Sequence, residues 1–491
     1  MKQIGNLLLA IFLFGLVSLR SEAAVYTSDG TATNVQYLHD HVAQGGDTIR
    51  VPAGTFTWTT GVTLIKNITL QGAGINQTIV KDGVQGTCLI RWNYSTLFNA
   101  RPRLTGITFK DGGRTRGGSA PSGILHFDGS NTKGSYFRFD NCQFLDMAGT
   151  IVTQNVLGVF DHDTFVNSAK AHVVIYVYNK TWNGGQYADG SWSDTSHFGT
   201  DQFLFIENCT ATNLENSVSA LVDGYGGARF VVRHCVLTKK KVTVHGTESG
   251  GNRVRGGRAV EVYNNVFNGG SLGVHMVIEG RSGVVIAHHN TISGFWEPQF
   301  LLRCYRTFYP FQPWAGADGT SQWDVNDTAG PFYNGAASAV SQGTTVSVAN
   351  ANFTPNRWVG YSIKRTTNLQ NLNTLNYATI LSNNAHSITY TNNGGWGTRT
   401  LGFSAGDTFA IYKIVHALDQ PGRSGGTFVT RNPPIRLRPN DQITEPCYSW
   451  SNGGVNFGTL DPVIREGVHY HNNTVLPGYV PYVYPHPLVT D

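Results

Sequence analysis

The chain of 491 residues predicts an all-β fold, a solenoid of stacked parallel coils with a small antiparallel β module inserted. Three observations predict it. One strand phrase recurs, with several intervals of 21 to 30 residues. A second, different strand phrase alternates with the first. Glycine is abundant, 58 residues, and charge is scarce, 14% against about 25% in an average soluble protein.

The same composition excludes other classes. An aromatic content of 12% is too high for a disordered chain. There is no heptad charge pattern, so a coiled coil is excluded. The formal charge is +5, or +4 without residues 1–23. A mild positive balance suits polyanionic ligands. The basic residues are scattered, so no nucleic-acid partner is expected.

At the N-terminus Lys2 precedes an apolar run from Leu7 to Leu19, followed by Ser21, Glu22 and Ala23. This is the pattern of a secretory signal over residues 1–23. The run is too short to span a membrane comfortably. No later segment qualifies as a span, so the expected product is secreted, extracellular or periplasmic.

The first phrase reads FRFDNCQF to Phe144, VFDHDTF to Phe165, FLFIENCTA to Ala211 and FVVRHCVL to Leu237. It continues as VEVYNNVF to Phe267, VVIAHHNTI to Ile292 and VHYHNNTV to Val475. Its equivalent positions are Cys142, Asp163, Cys209, Cys235, Asn265, Asn290 and Asn473, an inward side-chain ladder. One coil cannot bury its own apolar face, so stacked coils must share a core. The second phrase reads ILHFDG to Gly129, SALVDG to Gly224, VTVHG to Gly246 and MVIEG to Gly280. Apolar residues alternate inward, an acid or histidine faces out, and glycine permits a turn with positive φ. A β-sandwich would not place one Asn/Cys step in every second strand. The ladder cysteines read as buried reduced thiols, with a Cys209–Cys235 bridge as the competing reading.

GGDTIRVPAGTFTW (Gly45–Trp58) and GVTLIKNITLQGAG (Gly61–Gly74) resemble the opening coils of the pectate-lyase-like superfamily. That resemblance implies a right-handed parallel β-helix over about residues 25–305 and 446–487. LDQPGRSGG (Leu418–Gly426), EPCYSWSNGG (Glu445–Gly454) and YVYPHPL (Tyr482–Leu488) resemble the closing part of uncharacterised secreted bacterial β-helix proteins. The expected organisation is a β-helix over 24–305, an insertion over 306–445 and closing coils over 446–491. Within the insertion, residues 338–415 carry their own β pattern. Its Trp314, Trp323, Trp358 and Trp396 are expected to contact carbohydrate, or to belong to a folded spacer.

Outward residues on stacked coils form columns about 4.8 Å apart. Aligned on the glycines, Asp128, Asp223, His245 and Glu279 share one column, with Arg303 and Trp450 on later strands. Asp223 and Glu279 are then about 10 Å apart with His245 between them. The adjoining turns carry Arg229, Glu248, Arg253, Arg255, Arg258 and Arg281, and Glu261 follows. In so weakly charged a chain this grouping predicts a polysaccharide-binding groove.

Two reactions fit these residue types. β-Elimination at a uronic acid needs a cation against the carboxylate and a base at the adjacent C–H. Arg258 or Arg281 is the expected cation and His245 the expected base. Asp223, Glu248 and Glu279 are candidate Ca²⁺ ligands, as hard oxygen donors, and Ca²⁺ is the one cofactor considered. The superfamily resemblance favours this lyase reading, but none of the family's catalytic signatures is present. Inverting glycoside hydrolysis instead needs two carboxyl groups roughly 6.5–9.5 Å apart. No Asp-Asp pair of the polygalacturonase kind occurs. A non-catalytic glycan binder or adhesin is the third reading. The expected partner is an acidic polysaccharide and the expected state a monomer.

Overall fold

The computed structural model describes residues 23–95, 100–115, 124–129, 135–168, 173–184, 188–246, 256–270, 274–296, 299–303, 331–359, 361–367, 377–391, 401–412, 421–424, 443–459 and 464–490. The expected signal sequence therefore lies outside the described residues, save Ala23. So do Cys304, Trp314, Trp323 and Trp396. No helix among the described residues is long and apolar enough to cross a membrane.

The chain winds through three parallel sheets of twelve, ten and nine strands. Successive coils add one strand to each, as with Leu204–Glu207, Thr210–Asn213 and Ser219–Tyr225. The fold is a parallel β-helix, as the alternating phrases require. Inward residues from all three sheets merge into one core, in which Phe109, Phe144 and Phe165 stack coil upon coil.

A helix over Ala32–His41 packs at the N-terminal end, capped by the Thr31 side chain accepting from Asn34 N. Gln36 exchanges hydrogen bonds of 2.7 and 2.9 Å with the backbone of Thr63. It thus satisfies the end strand of the ten-stranded sheet, which would otherwise offer unpaired backbone to another chain.

The inward ladder forms at the step from the twelve-stranded to the nine-stranded sheet. Cys142 N donates to Asp163 Oδ1 (2.8 Å) and Cys235 N to Asn265 Oδ1 (2.9 Å). Asn265 N donates to Asn290 Oδ1, and Asn290 N to Asn452 Oδ1, both at 3.1 Å. Asn452, not Asn473, is therefore the next rung, 162 residues after Asn290. Asn473 is exposed with φ 51°. The five described cysteines are free and buried, Cys209 and Cys235 included, so the reduced-thiol reading holds and the bridge does not form.

The left-handed backbone falls elsewhere than expected. Asn141, His162, Asn208, His234, Asn264 and His289, each just before a rung, have φ between 53° and 56°. None of Gly129, Gly224 and Gly280 lies in that region. Crowding selects those glycines instead: a Cβ at Gly129 would meet Asn155 O at 2.2 Å, and one at Gly224 would meet the Phe230 ring at 2.5 Å.

Asp163 occupies a rung that later coils fill with asparagine. Its Oδ2 is buried without a hydrogen-bond partner, and burial pushes its carboxyl well above the usual range. A folded pKa above the unfolded one means that stability falls as pH rises from the unfolded value toward the folded one. Asp163→Asn is therefore expected to stabilise the protein at neutral pH, by about 1–3 kcal/mol. The gain should vanish in acid, below the ordinary carboxylate range. Denaturation midpoints of both proteins across pH check this; a midpoint at pH 7 unchanged or lowered in the variant refutes it.

The insertion carries a six-stranded antiparallel sheet. In sheet order its strands are Tyr333–Ala336, Thr408–Tyr412, Ser362–Arg365, Tyr377–Asn383, Ser387–Tyr390 and Thr345–Ser347. Trp358 is buried against Phe353 and Tyr361 in its core, so it packs this module and is not offered to a ligand. The β-helix ladder runs across the insertion: Ile286 pairs with Tyr448, and Phe300 with Phe457.

Candidate functional site

The ten-stranded sheet aligns Asp223 with Thr243, Thr243 with Glu279, and Glu279 with Leu301. Thr243, not His245, is the residue between the two carboxylates. The hydrogen bonds His245 N to Gly224 O, Arg281 N to Val244 O and Arg303 N to Gly280 O extend the ladder by one residue. Tyr225, His245, Arg281 and Arg303 therefore form a second outward column beside the first. Asp128 also leaves the expected column. It aligns with Gln154 and Tyr178, and so with Tyr225 rather than Asp223.

Both columns are deeply set: Asp223 and Glu279 are 5% exposed and His245 is 8% exposed. His245 Nδ1 lies 3.2 Å from Asp223 Oδ2 and is also contacted by Arg281 Nη2. Arg281 Nη2 lies 4.0 Å from the same carboxylate oxygen. The Tyr225 ring covers the imidazole with centroids 3.8 Å apart. Ser282 Oγ and Gly257 N both donate to His245 O, at 2.7 and 2.9 Å, and fix the backbone that carries the ring.

Glu279 accepts from Lys241 Nζ at 2.6 Å and lies 3.8 Å from Arg303 Nη1. Burial alone would raise its carboxyl, but Lys241, Arg281 and Arg303 hold it at about 2. Glu279 is thus an ionised acceptor throughout the physiological range and cannot serve as a proton donor. Asp223 Oδ1 and Thr243 Oγ1 are buried with no hydrogen-bond partner. Each buried polar atom left without a partner costs the protein stability.

Four other expected residues belong to the twelve-stranded sheet and do not join this cluster. Arg229 is the first residue of the strand Arg229–Arg233. It is fully buried, donating to the carbonyls of Ser191 and Thr195, both at 2.7 Å. Arg258 pairs with Glu445 at 2.9 Å and donates to Asp194 O. Its charge is met inside the protein, which removes it from the carboxylate-neutralising role. Glu261 accepts from Gly199 N and Tyr479 Oη, and burial pushes its carboxyl up to about 7. Trp450 stacks on His288 with centroids 4.4 Å apart.

Glu248, Arg253 and Arg255 lie outside the described residues. Among the described residues no three His, Cys, Asp or Glu side chains converge as metal ligands. Asp223 and Glu279 face cationic side chains instead, so these two alone do not make a Ca²⁺ site. Sequence reasoning missed Lys241, Thr243 and Tyr225. The first two were visible in Lys241-Val242-Thr243-Val244-His245, where period two puts Lys, Thr and His on one face.

No protein-family model matches the chain, and no curated protein matches it in sequence. Among solved structures it is similar to ORF18 of Geobacillus virus E2, with 12% identity and a TM-score of 0.32, over 56% of this chain and 58% of that one. It thus spans under two thirds of that protein. It is similar to an alginate lyase from Paenibacillus sp. str. FPU-7, with 13% identity and a TM-score of 0.31, over 55% of this chain and 96% of that one. It is also similar to a tailspike protein of E. coli bacteriophage HK620 solved with a pentasaccharide. There the identity is 13% and the TM-score 0.26, over 78% of this chain and 90% of the other.

Proposed function

We propose that the protein is a secreted polysaccharide lyase that cleaves an acidic glycan by β-elimination on the outward face of the ten-stranded sheet. The observation that carries this reading is the charge around His245. Lys241, Arg281 and Arg303 gather with Asp223 and Glu279 about one imidazole. Arginine and lysine side chains in such a group suit the carboxylate of a uronic acid.

In this reading Arg281 binds the substrate carboxylate and stabilises the charge that develops there as the adjacent proton leaves. Neutral His245 takes the C5 proton, and Asp223 orients the ring and stabilises the imidazolium formed. The C4–O4 bond breaks, C4=C5 forms, and the leaving oxygen takes the proton back from His245. Glu279 holds Lys241 and Arg303 in place. No step is routed through a metal.

Asp223 and Glu279 stand two strand spacings apart, about 9.6 Å, at the upper edge of the range for inverting hydrolases. That spacing favours hydrolysis as the second reading, with Glu279 as the base.

Incubation with pectate, alginate, glycosaminoglycan and neutral glycans separates the readings. The expected product is an unsaturated uronide with its ultraviolet absorbance. New reducing ends without that absorbance would exclude elimination and favour hydrolysis. Retention on an immobilised glycan with no product would favour a binder.

A further inference from the structure

The C-terminal segment from Tyr479 to Leu488 packs on the outward face of the twelve-stranded sheet. Beneath it Glu261 ends a row of hydrogen bonds. Tyr479 Oη meets Glu261 Oε2 at 2.5 Å, and His288 Nε2 meets Tyr479 Oη at 3.3 Å. His288 Nδ1 meets His289 Nδ1 at 2.9 Å, and His289 is exposed. The His288 ring is clamped between Tyr263 and Trp450, with centroids 4.6 and 4.4 Å away and planes within 9° of parallel. Burial holds its pKa down at about 3, so the ring is neutral at physiological pH.

The direction of each bond follows from the acid end. An ionised Glu261 only accepts, so Tyr479 donates to it. The Tyr479 oxygen then accepts from His288 Nε2–H, which leaves Nδ1 of the neutral ring to accept from His289 Nδ1–H. A proton taken up at His289 Nε2 passes inward by one transfer in each bond. His289 gives up the proton on Nδ1, His288 the one on Nε2 and Tyr479 its phenolic one, and Glu261 keeps the last. The row then runs in reverse, from Glu261 Oε2–H to Tyr479, from Tyr479 to His288 Nε2, and from His288 Nδ1–H to His289. One proton has been gained, every hydrogen bond survives, and only Glu261 has changed charge.

The geometry points to a proton relay that leads from His289 at the surface to Glu261 and, through the proton it delivers, sets how firmly the C-terminal segment is held. Glu261 is flanked in register by Val231 and Ile286, both buried and apolar. The charged and titratable groups that face it are Arg233 from the strand Arg229–Arg233, Tyr263 from its own strand, Tyr479, and His288 through Tyr479. Arg233 is itself paired with Glu207, and the loop at Gly199 adds a backbone N–H. Under the segment, burial raises the Glu261 carboxyl from the usual 4.5 to about 7. Lifting the segment admits water and restores the usual value. A group whose pKa is higher in the closed form favours that form while protonated, and the advantage is lost as pH rises through the higher value. The segment is thus held tightest below neutrality and loosens above it.

The tautomer of His288 tests the relay, read from the ring nitrogen shifts of ¹⁵N-histidine-labelled protein. His288→Gln, or contacts to the Trp450 ring, assigns the signals. The wild-type ring is expected to carry its proton on Nε2 at about pH 8.5 and on Nδ1 at about pH 5.5, and never on both nitrogens. Tyr479→Phe should abolish the change. One tautomer at both pH values, or a doubly protonated ring between them, overturns the inference. Amide exchange of the segment, corrected for the intrinsic pH dependence of exchange, tests the hold. Its protection is expected to fall about tenfold between about pH 6 and pH 8 in the wild type and to stay level in Glu261→Gln. Level protection in the wild type, or an equal fall in the variant, also overturns the inference. The two wild-type titrations decide the matter even where a variant fails to fold.

Discussion

His245→Ala is expected to lower turnover of the acidic glycan by about 10²–10⁴-fold, the range of a positioned general base. The fold should survive, because His245 lies just beyond the strand Lys240–Val244 and its backbone bonds to Gly224, Gly257 and Ser282 remain. Truncation removes the ring that covers Tyr225 and leaves Asp223 facing Arg281 directly. Rates of formation of the unsaturated product, beside circular dichroism of the same sample, check both parts. Full activity in a folded variant would remove His245 from the chemistry. Loss of the fold would contradict the view that its role is chemical.

The largest effect on stability is expected at Arg233. This arginine is fully buried, and its Nε donates to Glu207 Oε2 at 2.7 Å. Its other nitrogens donate to Tyr482 O (2.7 Å) and Val483 O (2.9 Å) in the C-terminal segment. That segment crosses the twelve-stranded sheet along the solenoid axis. Tyr479 reaches Glu261, His486 N donates to Glu207 at 2.9 Å, and Leu488 O accepts from Arg138 at 2.8 Å. Arg233→Met is expected to cost about 3–5 kcal/mol, because Glu207 is left as an uncompensated buried charge. Adding Glu207→Gln should recover most of that loss, since removing both charges spares the cost of burying them. Urea midpoints of the two variants and the wild type form the check. Equal loss in the single and double variants would locate the stability in the carbonyl contacts of the C-terminal segment rather than in the ion pair.

The β-helix was legible because its signals repeat. Each coil restates the same inward apolar pattern and the same polar step, so a misread coil is outvoted by its neighbours. The site residues were legible only in part, for a reason of register. Alignment on Gly224, Gly246 and Gly280 put His245 opposite Asp223, whereas Gly224 pairs with Val244. The strand pair contains an irregularity between Ala220 and Val222, which no turn signal in the sequence announces. The error was two residues, and a shift of two keeps every side chain on its own face. His245 therefore stayed beside Asp223 although its rung was misplaced. Arg229 and Arg258 were misread more seriously. The turn before Arg229 is short, and Gly256 and Gly257 directly precede Arg258, so the sequence hid that the chain had already crossed to the twelve-stranded sheet. The unpartnered Asp223 Oδ1 and Thr243 Oγ1 were beyond any reading of sequence, because they concern what is missing around two atoms.

The ladder that steps from Asn290 to Asn452 also bears on how such a chain can change over time. Two coils dock against each other through backbone amides and one asparagine, and neither interaction registers how much polypeptide intervenes. The entropic cost of closing a longer detour rises only with the logarithm of its length. The junction between Leu302 and Cys447 is therefore a socket. Chain of another length and composition can be exchanged there while the coils on either side keep their partners, and new binding modules can be acquired without redesigning the shaft that carries them.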